Sequence, residues 1–88
     1  MSPERIAELL RRALPDARVR VEDTTGTGDH FQALVVSAAF EGKSLVEQHQ
    51  ILYGALRAEM EGPIHALALR TFTPSRAREA GIDEESSP

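Results

Sequence analysis

The fold is decided by the seven residues HFQALVV at positions 30–36, which are mostly apolar on both faces of an extended chain. A strand that is apolar on both faces is typical of the centre of a sheet. Val19 and Val21 alternate with charged residues and predict a preceding, half-buried strand. The six residues between the two strands, Thr24 to Asp29, contain two glycines and favour an antiparallel hairpin.

A third strand is predicted from Ile64 to Phe72, after about 27 residues of mostly helical sequence. A crossover of this length returns the chain parallel to the strand that it left. The crossover helix, or pair of helices, should begin at a capping box formed by Ser44 and Glu47 and end at Gly62. Its predicted apolar residues are Leu45, Val46, Leu52, Tyr53, Leu56 and Met60.

Helices are also predicted at both ends of the domain. Ser2 and Pro3 favour a helix start, and the spacing of the next apolar residues predicts an amphipathic helix that stops at Pro15. A short last helix should follow Thr73. The fold class is therefore α+β, a single small domain over residues 1–78 with the order helix-strand-strand-helix(-helix)-strand(-helix). We expect a three-stranded mixed sheet covered by helices, and a disordered acidic tail over residues 79–88.

The composition of the chain excludes several classes of function. The chain has 88 residues, a net charge of -4 and no cysteine, so it can form neither a disulfide framework nor a thiolate metal site of its own. No nucleophile, base and oxyanion donor are fixed together, and we do not expect an enzyme. We see no signal peptide and no apolar run near the ~20 residues that span a membrane. A soluble, cytoplasmic protein is expected.

Two local motifs have ordinary structural explanations. The stretch from Gly42 to Ser44 resembles the end of a phosphate-binding loop, but that motif needs a glycine where this chain has Ser37. Gly42 as a turn and Ser44 as a helix cap explain it better. His49 falls on or beside the apolar stripe of the crossover helix, which predicts a hydrogen-bonded core or boundary residue.

Two other histidines are candidate metal ligands. His65 follows a Gly-Pro turn at the start of the third strand, and His30 opens the second. Because these strands are predicted to be adjacent and parallel, their first residues should meet at one edge of the sheet. Two neutral imidazoles there would form half of an iron or zinc site. A buried His65 hydrogen-bonded to backbone is the alternative.

Several blocks of the sequence together resemble the BolA family. They are His30 to Ser37, FEGKSLVEQH at positions 40–49, Ile64 to Leu67, and Thr73-Pro74. The resemblance covers about residues 3–77, and the short loop before His30 is similar to the compact acid-stress branch of the family. It implies a fold like the type II KH domain and a heterodimer with a monothiol glutaredoxin that holds a [2Fe–2S] cluster. Glutaredoxin and its bound glutathione would each supply a thiolate.

The resemblance assigns His65 as a cluster ligand, and the second ligand would come from the loop between the first two strands. That loop contains neither cysteine nor histidine here, so only His30 at its edge can serve. The chain also has Ala77 where the family often has a tryptophan, which would weaken the packing of the last helix. On this interpretation the protein is a non-enzymatic iron–sulfur adaptor in iron homeostasis or stress response, a monomer or weak homodimer without its partner.

A nucleic-acid-binding transcriptional regulator is the main alternative, because the family is linked to transcription and its fold is KH-like. The Gly-x-x-Gly clamp of KH domains has no equivalent in the helical region. The available basic residues are Arg18, Arg20, Arg57 and Arg70. A protein-interaction module without metal is a third possibility.

Overall fold

A three-stranded mixed sheet organises the computed structural model, which describes residues 1–82. The strand order is β1-β2-β3, and a single turn of 3-10 helix at Ala38–Phe40 follows the central strand. The elements in chain order are α1 Pro3–Ala13, β1 Arg18–Asp23, β2 His30–Val36, α2 Leu45–Ala55, α3 Arg57–Met60, β3 Ala66–Phe72 and α4 Pro74–Glu79.

The predicted sheet topology and α+β class are confirmed. β2 lies in the centre, antiparallel to β1 and parallel to β3. β3 begins at Ala66, two residues later than predicted, because the residues before it bond elsewhere. The amide of Ile64 donates to the carbonyl of Glu59, and that of His65 donates to the carbonyl of Asp29 in the hairpin loop.

One face of the sheet is covered by α1 and α2, and the other, called the open face here, is only partly covered. Val36 on the open face is buried, and Ile82 borders a pocket there with Arg20 and Arg70. Phe31, Ala33 and Val35 of β2 are buried under α1 and α2, where they join one apolar cluster. The alternate residues of each strand point to the open face. Strand register places Arg20, Leu34 and Arg70 in one row across that face. The further members of the core cluster are Ile6, Leu10, Leu14, Ala17, Phe40, Leu52, Leu56, Ile64 and Leu67.

The crossover forms two helices, α2 and α3, with a break at Leu56. The capping box is present, since the Ser44 side chain accepts from the amide of Glu47 and the Glu47 carboxylate accepts from the amide of Ser44. The predicted apolar stripe is wrong in its first turn. Leu45 and Val46 are 60% and 66% exposed, because this turn extends beyond the packed core and borders an open groove.

His49 differs from its predicted role as a satisfied residue. It is half-buried on α2, as expected for a boundary position, but its Nε2 atom is buried and has no hydrogen-bond partner among residues 1–82. Spacing along a helix predicts which face a side chain occupies. It does not predict whether a polar partner stands opposite, because that partner would come from another element.

The C-terminal part of the described chain packs onto the domain. Thr73 caps α4, and Ala77 is fully buried, so the small side chain at this position seats the helix closely. The amide of Ile82 donates to the carbonyl of Ala77, and ordered backbone therefore extends past residue 78, where the domain was predicted to end. The rest of the predicted tail, 83–88, lies outside the described residues. Within 1–82, no helix is long and apolar enough to cross a membrane.

Asp16 ties the start of the sheet to the turn after β2, and it makes stability dependent on pH. Its carboxylate accepts from the amide of Ala38 at 2.9 Å and from the hydroxyl of Ser37 at 2.8 Å. Those two hydrogen bonds lower the pKa of the Asp16 carboxyl below its ordinary value of 3.8. The stabilisation is complete above that unfolded value and is lost as the pH falls through the lower, folded value.

We therefore expect the wild-type chain to lose more stability than Asp16→Asn when the pH is lowered from neutral to about 3. The asparagine keeps the shape of the side chain but does not titrate. Urea unfolding curves across this pH range measure the difference. Equal losses in the two proteins would show that Asp16 does not contribute to the acid sensitivity.

Candidate metal centre at the sheet edge

The hairpin loop before β2 is held in a fixed shape by Asp23. Its carboxylate accepts hydrogen bonds from the amides of Gly26 at 2.9 Å and Gly28 at 2.8 Å. Both glycines have positive φ, 77° and 78°, a conformation that other residues adopt only with strain. The loop is thus compact and delivers Asp29 and His30 to the edge of the sheet in a defined position.

The backbone carbonyl of Asp29 brings the two candidate histidines together. It accepts from the amide of His65 at 2.7 Å and from the amide of Ala66 at 3.2 Å, which joins the loop to the start of β3. Ala66 is also the register partner of His30. The rings of His30 and His65 are stacked with their centroids 6.1 Å apart and an interplanar angle of 23°. The predicted neighbourhood is therefore observed, and metal binding by the pair stays a prediction.

The Asp29 side chain orients the first of these imidazoles. Its Oδ1 atom lies 2.9 Å from Nδ1 of His30. An ionised carboxylate can only accept, so in neutral His30 the proton is on Nδ1 and the lone pair is on Nε2. A carboxylate behind an imidazole is the usual arrangement for metal-ligating histidines. Hydrogen bonds from the Thr27 hydroxyl and then from His30 hold the pKa of the Asp29 carboxyl below its ordinary value.

We expect His30 to occupy the Nδ1–H tautomer in the wild-type chain and to lose this preference in Asp29→Asn, because an amide can also donate to the ring. Nitrogen NMR of the imidazole under mildly alkaline conditions reports the tautomer directly. His49 in the same sample provides an internal control, since it lies on α2 and makes no contact with the substitution. An unchanged tautomer in the variant would mean that Asp29 does not set the orientation of His30.

The pair is open to solvent and incomplete as a metal site. His65 is exposed and His30 is half-buried, so a partner could reach both rings. Among the residues that the structure describes, no three histidine, cysteine or carboxylate side chains are grouped to hold a metal ion. Two imidazoles alone would leave open positions on a metal ion, and a second molecule would have to supply ligands for them.

The basic residues of the alternative hypothesis are only partly brought together. Strand register places Arg18, Arg20 and Arg70 on the open face of the sheet, with Glu22 among them, whereas Arg57 lies on α3. Strand order predicted that His30 and His65 would be neighbours, whereas the contribution of Asp29 was not predicted. The sequence signal for Asp29 is the Asp-His dipeptide at the end of a short loop, and it can be interpreted only once the loop geometry is known.

Similarity to known proteins agrees with this fold. The family model for BolA-like proteins matches residues 10–76. Human BolA-like protein 2 is 43% identical over 82 residues, which cover 90% of this chain and 94% of that protein. Human BolA-like protein 1 is 41% identical over 63 residues, which cover 72% of this chain. The chain spans only 46% of the length of that relative.

Two further matches have names that state a function or mention a second protein. The DNA-binding transcriptional regulator BolA of Escherichia coli is 35% identical over 80 residues, covering 83% of this chain and 76% of that protein. Among solved structures, the BolA domain of SufE1 from Arabidopsis thaliana has a TM-score of 0.75 and 36% identity, over 84% of this chain and 93% of that domain. The matched family model spans most of the chain and all three strands. This chain belongs to the BolA-like protein family.

Proposed function

We propose that this chain is a non-enzymatic iron–sulfur adaptor that pairs with a monothiol glutaredoxin to hold or transfer a [2Fe–2S] cluster. The observation that carries the proposal is the stacked pair of His30 and His65 at an exposed sheet edge, with centroids 6.1 Å apart. The Asp29 carboxylate behind His30 adds the second-sphere contact that a ligating imidazole normally has.

The chemistry of the ligands requires a second molecule. A [2Fe–2S] cluster takes four ligands, usually thiolates, and this chain contains no cysteine. Two imidazoles from this chain would be completed by two thiolates. The resemblance of this chain to the BolA family implies that the two thiolates come from a glutaredoxin cysteine and from glutathione. The adaptor would therefore contribute half of the ligand set and leave the other half to its partner.

A mixed set of imidazole and thiolate ligands favours release of the cluster over its stable storage. A neutral imidazole in place of a thiolate makes the cluster less negative and raises its reduction potential. His30 and His65 are also at the surface, where one ligand can be exchanged for another. We infer a role in passing on or sensing the cluster in iron homeostasis or stress response. Binding and exchange of ligands are sufficient for this role, and no catalytic group is needed.

Co-expression with a monothiol glutaredoxin tests the proposal. We expect the two proteins to copurify as a heterodimer whose visible absorption and circular dichroism differ from those of the cluster in the glutaredoxin alone, because imidazoles replace thiolates. If the glutaredoxin spectrum is the same with and without this chain, the chain does not ligate the cluster. A stable heterodimer without a change in the spectrum would instead support a protein-interaction module.

The positions of the basic residues do not favour direct binding of nucleic acid. Arg57 lies on α3 and the other three arginines lie on the sheet, so the four do not form one basic surface. The net charge of the chain is -4, which opposes non-specific attraction to phosphate.

A further inference from the structure

A second surface lies at the other end of the sheet. A half-open groove of about 650 Å³ runs between the start of α2, the second half of β3 and the start of α4. Its volume is within the range of sites that bind ligands. The groove is bordered by consecutive residues of β3 from Leu69 to Phe72, which belong to both faces of the sheet. A groove that touches both faces of one strand must follow the edge of that strand.

The edge of β3 that follows the groove has no strand partner. β3 pairs with β2 on one side, and within residues 1–82 no strand lies on the other. The amide of Ala66 donates to the carbonyl of Asp29 just before β2, and the carbonyl of Phe72 accepts from the amide of Ser37 just after it. The backbone groups of the even-numbered residues of β3 therefore face β2. The backbone groups of the odd-numbered residues therefore face outward.

Side-chain contacts agree with this assignment and limit the open part of the edge. The hydroxyl of Tyr53 donates to the carbonyl of Leu67 at 3.0 Å, which closes the first outward position. Leu69 and Thr71 follow, and both border the groove. Their outward amides and carbonyls are the groups that an added strand would bond to. The side chain of Thr71 faces inward, where its hydroxyl donates to Oε1 of Gln48 at 2.6 Å. An extended peptide lying in the groove would meet two such residues at the spacing that a β-ladder requires.

The charge of the groove selects the kind of peptide. Lys43, Arg70 and Arg76 line it, and among residues 1–82 no carboxylate does, although the whole chain is acidic. Nearby acidic residues offset this positive charge only in part, and Glu41, next to Gly42, is exposed outside the lining. Glu47 bonds to the amide of Ser44, and Glu79 lies 3.6 Å from Arg76 in an exposed pair on α4. Leu45, which is 60% exposed, adds an apolar contact at the rim.

We propose that this groove binds an extended acidic segment of a partner protein, which adds to the free edge of β3 as a fourth strand. Backbone hydrogen bonds to Leu69 and Thr71 hold the segment, in the way that other sheet edges capture peptides. Lys43, Arg70 and Arg76 bind its carboxylates and set its specificity.

The groove and the histidine pair lie at opposite ends of β3. A strand rises about 3.3 Å per residue, so Thr71 lies roughly 20 Å along the chain from His65. The peptide site goes beyond the proposed cluster site, and it can be tested on the chain alone, without iron or glutaredoxin. Failure of one proposal therefore leaves the other standing.

The probe is the peptide acetyl-EVEVEVE-amide, titrated into the isotope-labelled chain and followed by NMR. We expect shifts confined to residues 43–49 and 69–76, with little change at His30 and His65. Amide exchange at Leu69 and Thr71 should slow by about tenfold at saturation, because both amides become hydrogen-bonded. The counterpart acetyl-KVKVKVK-amide should not bind.

Matched variants separate strand addition from simple charge attraction. Lys43→Gln and Arg76→Gln should each weaken peptide binding about three- to fivefold, as expected for partly exposed ion pairs. Arg11→Gln carries the same charge change on α1 and should alter it less than about twofold. Acetyl-EVEPEVE-amide retains the carboxylates but cannot complete the ladder, and it should bind much more weakly.

Three results would overturn the proposal. The first is equal binding of the proline-containing peptide, and the second is no added protection at Leu69 and Thr71. The third is a short DNA duplex that binds the same residues while the acidic peptide does not.

Discussion

Replacing His65 by alanine is expected to remove the mixed-ligand cluster from the complex with glutaredoxin. His65 is exposed, and its ring stacks against that of His30. Alanine leaves one imidazole where the shared site needs two ligands from this chain. The visible spectrum should revert to that of the glutaredoxin cluster alone. The affinity of the heterodimer for the cluster should fall by tenfold or more, since losing even a residue that hydrogen-bonds to a metal ligand costs about 10- to 100-fold.

The fold should not be affected by this substitution. His65 contributes its backbone amide, not its side chain, to the hydrogen bond with Asp29, so alanine preserves the sheet edge. Gln50→Ala on the exposed side of α2 serves as the control and should retain the full spectrum. His65→Cys offers a separate check, because a thiolate at the same position should restore iron with a more thiolate-like spectrum. A wild-type spectrum in His65→Ala would remove His65 from the ligand set.

Leu52→Ala is expected to lower the free energy of unfolding by about 2–5 kcal/mol. Leu52 is fully buried in the cluster between α2 and the sheet, and truncation leaves a cavity that the neighbouring side chains cannot fill. Domains of this size have total stabilities of about 5–15 kcal/mol, so a large part of the stability should disappear. Chemical denaturation followed by far-ultraviolet circular dichroism measures the change.

Leu45→Ala is the matched control, since it makes the same chemical change on the same helix. Leu45 is 60% exposed, and its truncation should change stability by less than about 0.5 kcal/mol. The contrast also tests the boundary of the core, because the spacing of seven residues places Leu45 and Leu52 on one helix face. Similar losses for both variants would mean that the first turn of α2 is packed.

Much of the site could be predicted because it depends on strand order. The apolar stretch at positions 30–36 identified the central strand, and the length of the crossover identified its parallel neighbour. Parallel neighbours begin at the same edge, and this rule alone places His30 beside His65. The helix starts at Ser2 and Ser44 were predictable for a similar reason, since capping is local and requires only residues within one turn.

Features that depend on distant contacts could not be predicted in the same way. Leu45 has the spacing of a core residue, but it is 60% exposed because nothing in the described part of the chain covers it. His49 has the position of a boundary residue, yet no polar group faces its Nε2 within the described chain. The groove beside β3 combines residues from the 3-10 turn, α2, β3 and α4, and its charge is opposite in sign to that of the whole chain.

The carbonyl of Asp29, which accepts from the amides of His65 and Ala66, has a consequence for how this protein can evolve. Every amino acid provides the same backbone carbonyl, so mutation at position 29 need not separate the two imidazoles. The side chain at that position, by contrast, hydrogen-bonds Nδ1 of His30. Under the proposed function, a single codon could therefore change how His30 is oriented while the backbone that pairs the two imidazoles stays the same.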